Sequence, residues 1–139
     1  MAASHGSKAS FWLGTAASPA VVVDLSVYGK TLGEAFKRDS AETTTFKKGS
    51  KTFIPGLKDA TIPFDGPLDA VVDQQLWDLL DQGIITNFEY YPAGKGVTTT
   101  PKFSGLCFLT QYNLNSPLAG TNDFTAAFQV TGDTLRTVQ

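Results

Sequence analysis

The sequence holds one cysteine, one histidine and one methionine among 139 residues, and the first two scarcities each close a class of chemistry. With Cys107 alone, no internal disulfide and no cysteine-based zinc cluster can form, which suits folding in a reducing cytoplasm. With His5 alone, set in a polar stretch at the start, neither a Ser-His-Asp triad nor a multi-histidine metal site can be assembled within one chain. Apolar runs are short. Residues 20–23 are too few to span a bilayer, and residues 1–10 lack the apolar core of a signal peptide, so the chain is expected to be soluble, unexported and not inserted in a membrane. Charge is scarce as well: charged residues make up 17% of the chain against a usual share of about a quarter, and a surface short of charge is suited to becoming interface. The formal net charge of -2 excludes the basic footprint that neutralising nucleic-acid phosphates requires.

What is present fits one domain with one core. Residues 10–14 and 20–24 read as short strands around the breaker pair Ser18-Pro19. From 29 to 58 the pattern dissolves into charged and small residues, with Phe46, Phe53 and Ile54 as isolated apolar positions, so a long loop or extended hairpin is expected. Loops beyond about 12–15 residues are uncommon in compact domains unless they carry a function, and here that function is contact with another copy. A further strand, then one helix over 68–80, follow: Leu68, Val72, Leu76, Leu79 and Leu80 recur at helical spacing behind Asp65-Gly66-Pro67, and Gly83 stops the run. Three strands close the chain at 84–91, 103–113 and 123–131. The last alternates Phe124, Ala126, Phe128 and Val130 with Thr125, Ala127, Gln129 and Thr131.

No catalytic, cofactor or metal residues emerge. Gly29-Lys30-Thr31 matches the end of a phosphate-binding loop, but that motif needs a glycine where Asp24 stands. Asp65, Asp69, Asp73, Asp78 and Asp81 are dense enough to suggest paired carboxylates or a calcium site. The first three recur every four residues, no EF-hand spacing is present, and a solvated or interface face of the helix accounts for them. Cys107, within Leu106-Cys107-Phe108-Leu109, reads as a small core residue, and Trp12 and Trp77 as core or interface anchors.

Charge is segregated along the chain. Lys30, Lys37, Arg38, Lys47, Lys48, Lys51 and Lys58 outnumber the acids between 30 and 58, whereas every charge from 59 to 91 is acidic. Two complementary patches on one molecule make a heterologous contact that closes into a ring or repeats as a filament. The alternative is two independently solvated surfaces.

The order and spacing of several segments carry a family resemblance. These are Ala41-Glu42-Thr43-Thr44-Thr45-Phe46, Ile54-Pro55-Gly56-Leu57-Lys58-Asp59-Ala60-Thr61-Ile62 leading to Phe64-Asp65-Gly66, Tyr90-Tyr91-Pro92-Ala93-Gly94, residues 105–112, and the closing 124–132. Together they resemble the major tail, or tail tube, proteins of long, flexible-tailed bacteriophages. The resemblance implies a mainly β fold, a sandwich or barrel with one flanking helix, forming stacked and usually hexameric rings around a DNA channel. It implies a flexible N-terminal arm (1–10), a long inter-ring loop (about 37–55) and a C-terminal arm (134–139). With the sequence ending soon after Gly132, no C-terminal immunoglobulin-like domain is expected. With the charge pattern, this makes the expected inter-subunit contact residues Lys37, Arg38, Thr43, Thr44, Thr45, Phe46, Lys47, Lys48 and Lys51 on one side and Asp65, Asp69 and Asp73 on the other. The expected partners are other copies, the tape measure, tail tip and tail terminator proteins, and double-stranded DNA passing without specific binding. The expected place is the virion tail, after synthesis in the host bacterial cytoplasm. Two rival readings stand beside this one: a tube subunit of a contractile or secretion-type injection machine, and a small carbohydrate-binding β-sandwich using Trp12, Tyr90 and Tyr91 for stacking.

Overall fold

The computed structural model describes residues 8–15, 23–46 and 49–139. Strands β1 (Ser10–Leu13), β2 (Val23–Asp24), β3 (Thr31–Leu32), β4 (Ala35–Glu42) and β5 (Phe53–Pro67) precede helix α1 (Ala70–Gln82). Strands β6 (Thr86–Tyr91), β7 (Pro101–Asn115) and β8 (Asp123–Val138) follow it. One sheet holds all eight strands in the order β2-β1-β6-β7-β8-β5-β3, with β4 also paired to β5.

The sheet curls until its two ends nearly meet. Phe11 of β1 approaches Phe64 of β5 and Phe128 of β8, with ring centroids 6.0 and 5.7 Å apart, although β1 adjoins neither strand in the sheet order. A short 3-10 turn, Ser26–Tyr28, carries the chain across the remaining gap. On one side of it the Leu25 N–H donates to the Phe11 carbonyl at 2.8 Å, and on the other the Lys30 N–H donates to the Asp65 carbonyl at 2.7 Å. The result is a nearly closed barrel with one helix, in line with the expected mainly β class.

Period-two patterning fills this barrel. Ile62 and Phe64 alternate with exposed or half-exposed neighbours on β5, and register places them opposite Phe128 and Ala126 of β8, so both apolar faces line the same interior. Each large apolar side chain buried there contributes about 1.5–3 kcal/mol. Cys107 is fully buried in this core, and burial pushes its thiol up to about 12, as befits a small core residue without nucleophilic character.

Helix α1 buries Val72, Leu76 and Leu79 as one stripe against the same core. It begins two residues later than its apolar pattern suggests, because the Asp69 carboxylate accepts from the Val71 N–H at 2.9 Å and makes Asp69 the N-cap. Such a cap contributes about 1 kcal/mol. Gly83, in the left-handed region at φ 63°, ends the helix with its N–H on the Leu79 carbonyl.

Two expectations need correction. Asp65, Asp69 and Asp73 do not share a helix face: Asp65 lies within β5, Asp69 is the cap, and only Asp73 is helical. Residues 134–139 form no free arm. Leu135 pairs with Ser104 and Val138 with Pro101, and the Gln139 amide donates to the Gly94 carbonyl and the Thr100 hydroxyl at 3.1 and 3.0 Å. Residues 37–55 take the extended-hairpin alternative rather than the long loop: β4 and β5 pair from Ala35–Thr61 out to Glu42–Phe53. Of the expected N-terminal arm, residues 1–7 lie outside the described residues, and Ser10 already opens β1.

Candidate assembly surface

The β4–β5 hairpin projects from the barrel. Every residue of β4 is exposed, and β5 becomes buried only from Ala60 onward. At its far end the Thr43 N–H donates to the Thr52 carbonyl at 2.7 Å, the two threonine hydroxyls meet at 2.9 Å, and the Thr44 hydroxyl accepts from the Thr52 N–H at 2.9 Å. Thr43 and Thr44 therefore close the hairpin, while Thr45, Phe46 and Lys51 stand beyond them in solvent. Lys47 and Lys48 lie outside the described residues. Lys37 sits opposite Asp59, and the Arg38 guanidinium donates to the Gly56 carbonyl at 2.9 Å across a register shift.

The hairpin is apolar as well as basic. Leu57 is 82% exposed, and Phe36, Phe53 and Ile54 are each more than half exposed, a concentration that a monomeric surface rarely carries. The isolated apolar positions in a charged stretch were their only signal in the sequence.

The acidic positions lie at the opposite end of β5. This strand has 15 residues, which makes it about 45–50 Å long, with the hairpin tip at its start and Pro67 beside the helix cap at its finish. Asp65 and Asp69 gather at that finish, joined by Asp123, which pairs with Pro67. Asp73 is close by, accepting from the Tyr112 hydroxyl at 2.6 Å. Leu114 and Leu118 are exposed in the same region. The Lys and Asp candidate contact residues are thus separated in space, between the two ends of one long strand, while Lys30 lies beside Asp65 and Asp59 opposite Lys37.

Three further features complete the surface. The outer edge of β4 is unpaired among the described residues, and β7 beyond Cys107 has β8 on one side only. Between them, residues 61–67, 106–115 and 123–131 contain no lysine or arginine, and their charges are Asp65 and Asp123. Finally, β8 pairs with β5 only up to Gln129. It then turns at Gly132, whose φ of 81° suits a residue without Cβ, and this leaves a groove of about 470 Å³ lined by Phe36, Arg38, Lys58, Phe103, Thr134 and Arg136.

The stacking platform of the carbohydrate reading does not form. Tyr90 and Tyr91 are consecutive in β6 and take opposite faces, Tyr91 is 3% exposed, and the Lys95 ammonium lies 4.3 Å over the Trp12 ring. Trp77, expected as an anchor, is half exposed on the helix. Among the described residues no group of three or more His, Cys, Asp or Glu could hold a metal ion, and no helix is long and apolar enough to cross a membrane.

No family model and no curated protein matches the sequence. Solved structures do match the fold. A chain from the tail of an empty gene transfer agent particle, refined with C6 symmetry, superposes with a TM-score of 0.79 at 16% identity, covering 97% of this chain and 99% of its own. A chain of the SPP1 tail tube gives 0.76 at 12% identity, covering 99% of this chain and 80% of that one. The chain has the tail-tube fold. A chain of the sheath–tube complex of an extracellular contractile injection system shares that fold at a TM-score of 0.66 and 9% identity, covering 99% and 93%. The tail-tube fold accommodates the β4–β5 hairpin and the helix within one superposition that leaves almost none of this chain over.

Proposed function

We propose that this chain is a non-enzymatic tube subunit of a phage-type tail, assembling with itself into stacked, hexameric rings around a channel for double-stranded DNA. The observation that carries this reading is the projecting hairpin, basic and apolar, set at one end of a long strand whose other end is acidic and apolar. Stacking rings end to end buries both. The free edges of β4 and β7 supply the second contact: pairing β4 of one copy with β7 of the next is heterologous, closes into a ring, and removes edges that otherwise invite aggregation. Six-fold closure follows the C6 symmetry of the gene transfer agent tail.

In such a ring the outward face of β5, β8 and β7 becomes the channel wall. Thr61, Pro63, Thr125, Ala127, Gln129, Phe108 and Gln111 are neutral, and the charges are Asp65, Asp123 and, on the same face of β5, Asp59, which accepts from the Gln129 amide at 2.6 Å. A wall without cations repels phosphate weakly and binds it nowhere, so DNA slides. Tape measure, tail tip and terminator proteins are the remaining partners in this reading, and the virion tail is its place, after synthesis in the bacterial cytoplasm.

Negative-stain electron microscopy of concentrated protein, with and without tail-tip initiators, tests the proposal. Rings or tubes are expected, and monomers in every condition overturn it. Charge pairing between stacked copies predicts more: reversing Lys47, Lys48 and Lys51 to Glu shortens tubes more at low salt than at high salt, because ions screen exposed pairs. Tube length unchanged at every salt concentration removes that loop from the contact.

A further inference from the structure

Glu34 lies between β3 and β4, at the root of the hairpin. The ladder along β5 is interrupted here, since Leu32 pairs with Phe64 and Ala35 with Thr61, while Gly33 and Glu34 have no partner in the register. Oε2 of Glu34 accepts from the Thr134 hydroxyl at 3.3 Å, whereas Oε1 is buried with no hydrogen-bond donor. Thr134 follows the bend at Gly132, so this one side chain ties the hairpin root to the bent end of β8.

The surroundings favour an uncharged carboxyl. Tyr90 on β6 and Cys107 on β7 both lie within reach of its field, and each is held in its protonated form by burial. At the groove mouth Lys58 is 3.5 Å from Asp133, Arg38 is committed to the Gly56 carbonyl, and Arg136 lines the wall with Asp59. None of these cations offsets the loss of water at Glu34. Burial raises its carboxyl to about 7, against a smaller lowering by Thr134.

We propose that Glu34 is a proton-operated latch that seats the hairpin root in the barrel when neutral and releases it when ionised. An ionised Glu34 regains water most readily by moving the segment with the fewest buried contacts, and that segment is the hairpin. The sign follows from the direction of the shift. The seated root holds a proton that the open root gives up, so seating is favoured below the ordinary carboxylate range and is lost as pH rises through about 7. The consequence for stacking rests on the tube reading, because that reading assigns the hairpin to the contact between rings. The latch itself does not.

Hydrogen exchange on the dilute, unassembled subunit tests it. Between pH 6 and pH 8, protection factors across β4 and the exposed start of β5 are expected to fall about tenfold in the wild type, the ratio that linkage gives for a carboxyl displaced from 4.5 to about 7. Glu34→Gln is expected to show protection that does not change between the two values. Equal pH dependence in the two proteins, or none in the wild type, overturns the latch. Should the variant fail to fold, a carbon NMR titration of the wild-type Glu34 carboxyl decides: a midpoint near 7 supports the latch, and one in the ordinary carboxylate range overturns it. A latch found in a protein that never forms tubes removes the tube reading and leaves the latch standing.

Discussion

Replacing residues 43–52 by a two-residue Asn-Gly turn yields a subunit that folds normally and no longer forms tubes. Glu42 and Phe53 are the outermost pair in the β4–β5 register, so a type I′ turn can close the hairpin there without moving any pair nearer the barrel. The segment removed is exposed or half-exposed wherever it is described, and none of its described residues belongs to the core. Its loss should change stability by well under about 1 kcal/mol. The proposed assembly loses far more: Phe46, fully exposed at the tip, and the charges of Lys47, Lys48 and Lys51 all leave the contact that the proposal assigns between rings. Urea unfolding with an unchanged midpoint, sedimentation as a monomer or a single ring, and an absence of tubes by electron microscopy are the expected readings together. Tubes of normal length and yield from the shortened protein would show that the tip has no part in stacking, however well the hairpin fits that role. Because the proposed ring closure uses the edges of β4 and β7 rather than the tip, isolated rings are the informative product, and they separate the two contacts.

The sequence disclosed elements whose own residues decide their form and hid those decided by pairing. The stripe of Val72, Leu76 and Leu79 and the alternation from Phe124 to Val130 are local patterns, and both became the expected helix and strand. The full length of strand β5 was hidden because its 15 residues include Pro55, Pro63 and Pro67 with two glycines, a composition that local reading takes in part for a loop. Its length is imposed from outside, by β4 along one half and β8 along the other. Pro63, with no N–H to give, lies near the break between β3 and β4, where the ladder is interrupted and Glu34 is found. The end of β8 was hidden similarly: residues 134–139 have no strong alternation, and pairing with β7 and the Gln139 amide hold them. Among the candidate contact residues, the segregation of Lys and Asp was legible as composition. That the two groups occupy opposite ends of one strand required the fold. Asp65, Asp69 and Asp73 looked like a helical face because a spacing of four takes no account of where the helix starts, and the Asp69 cap sets that start.

Phe64→Ala is expected to cost about 3–5 kcal/mol, a large loss for a single side chain. Phe64 is 1% exposed at the meeting of the curled sheet's two ends, with the Phe11 and Phe124 rings 6.0 and 5.4 Å from its own. Truncating it removes contacts on both sides of the closure, and a barrel held by pairing on each flank can collapse only partly into the space. Gly29 makes the prediction sharper. A Cβ added at Gly29 overlaps Cε1 of Phe64, so Gly29→Ala alone overpacks the seam, at a cost of about 1–3 kcal/mol. In the double variant the new methyl group meets the cavity instead of the ring. The two costs then fail to add, and the combined loss should fall short of their sum by about 1 kcal/mol or more. Urea denaturation of the four proteins measures the cycle. Additive losses would mean that Phe64 and Gly29 do not share the seam, and that the barrel closes by some contact other than the packing of β5 under the 3-10 turn.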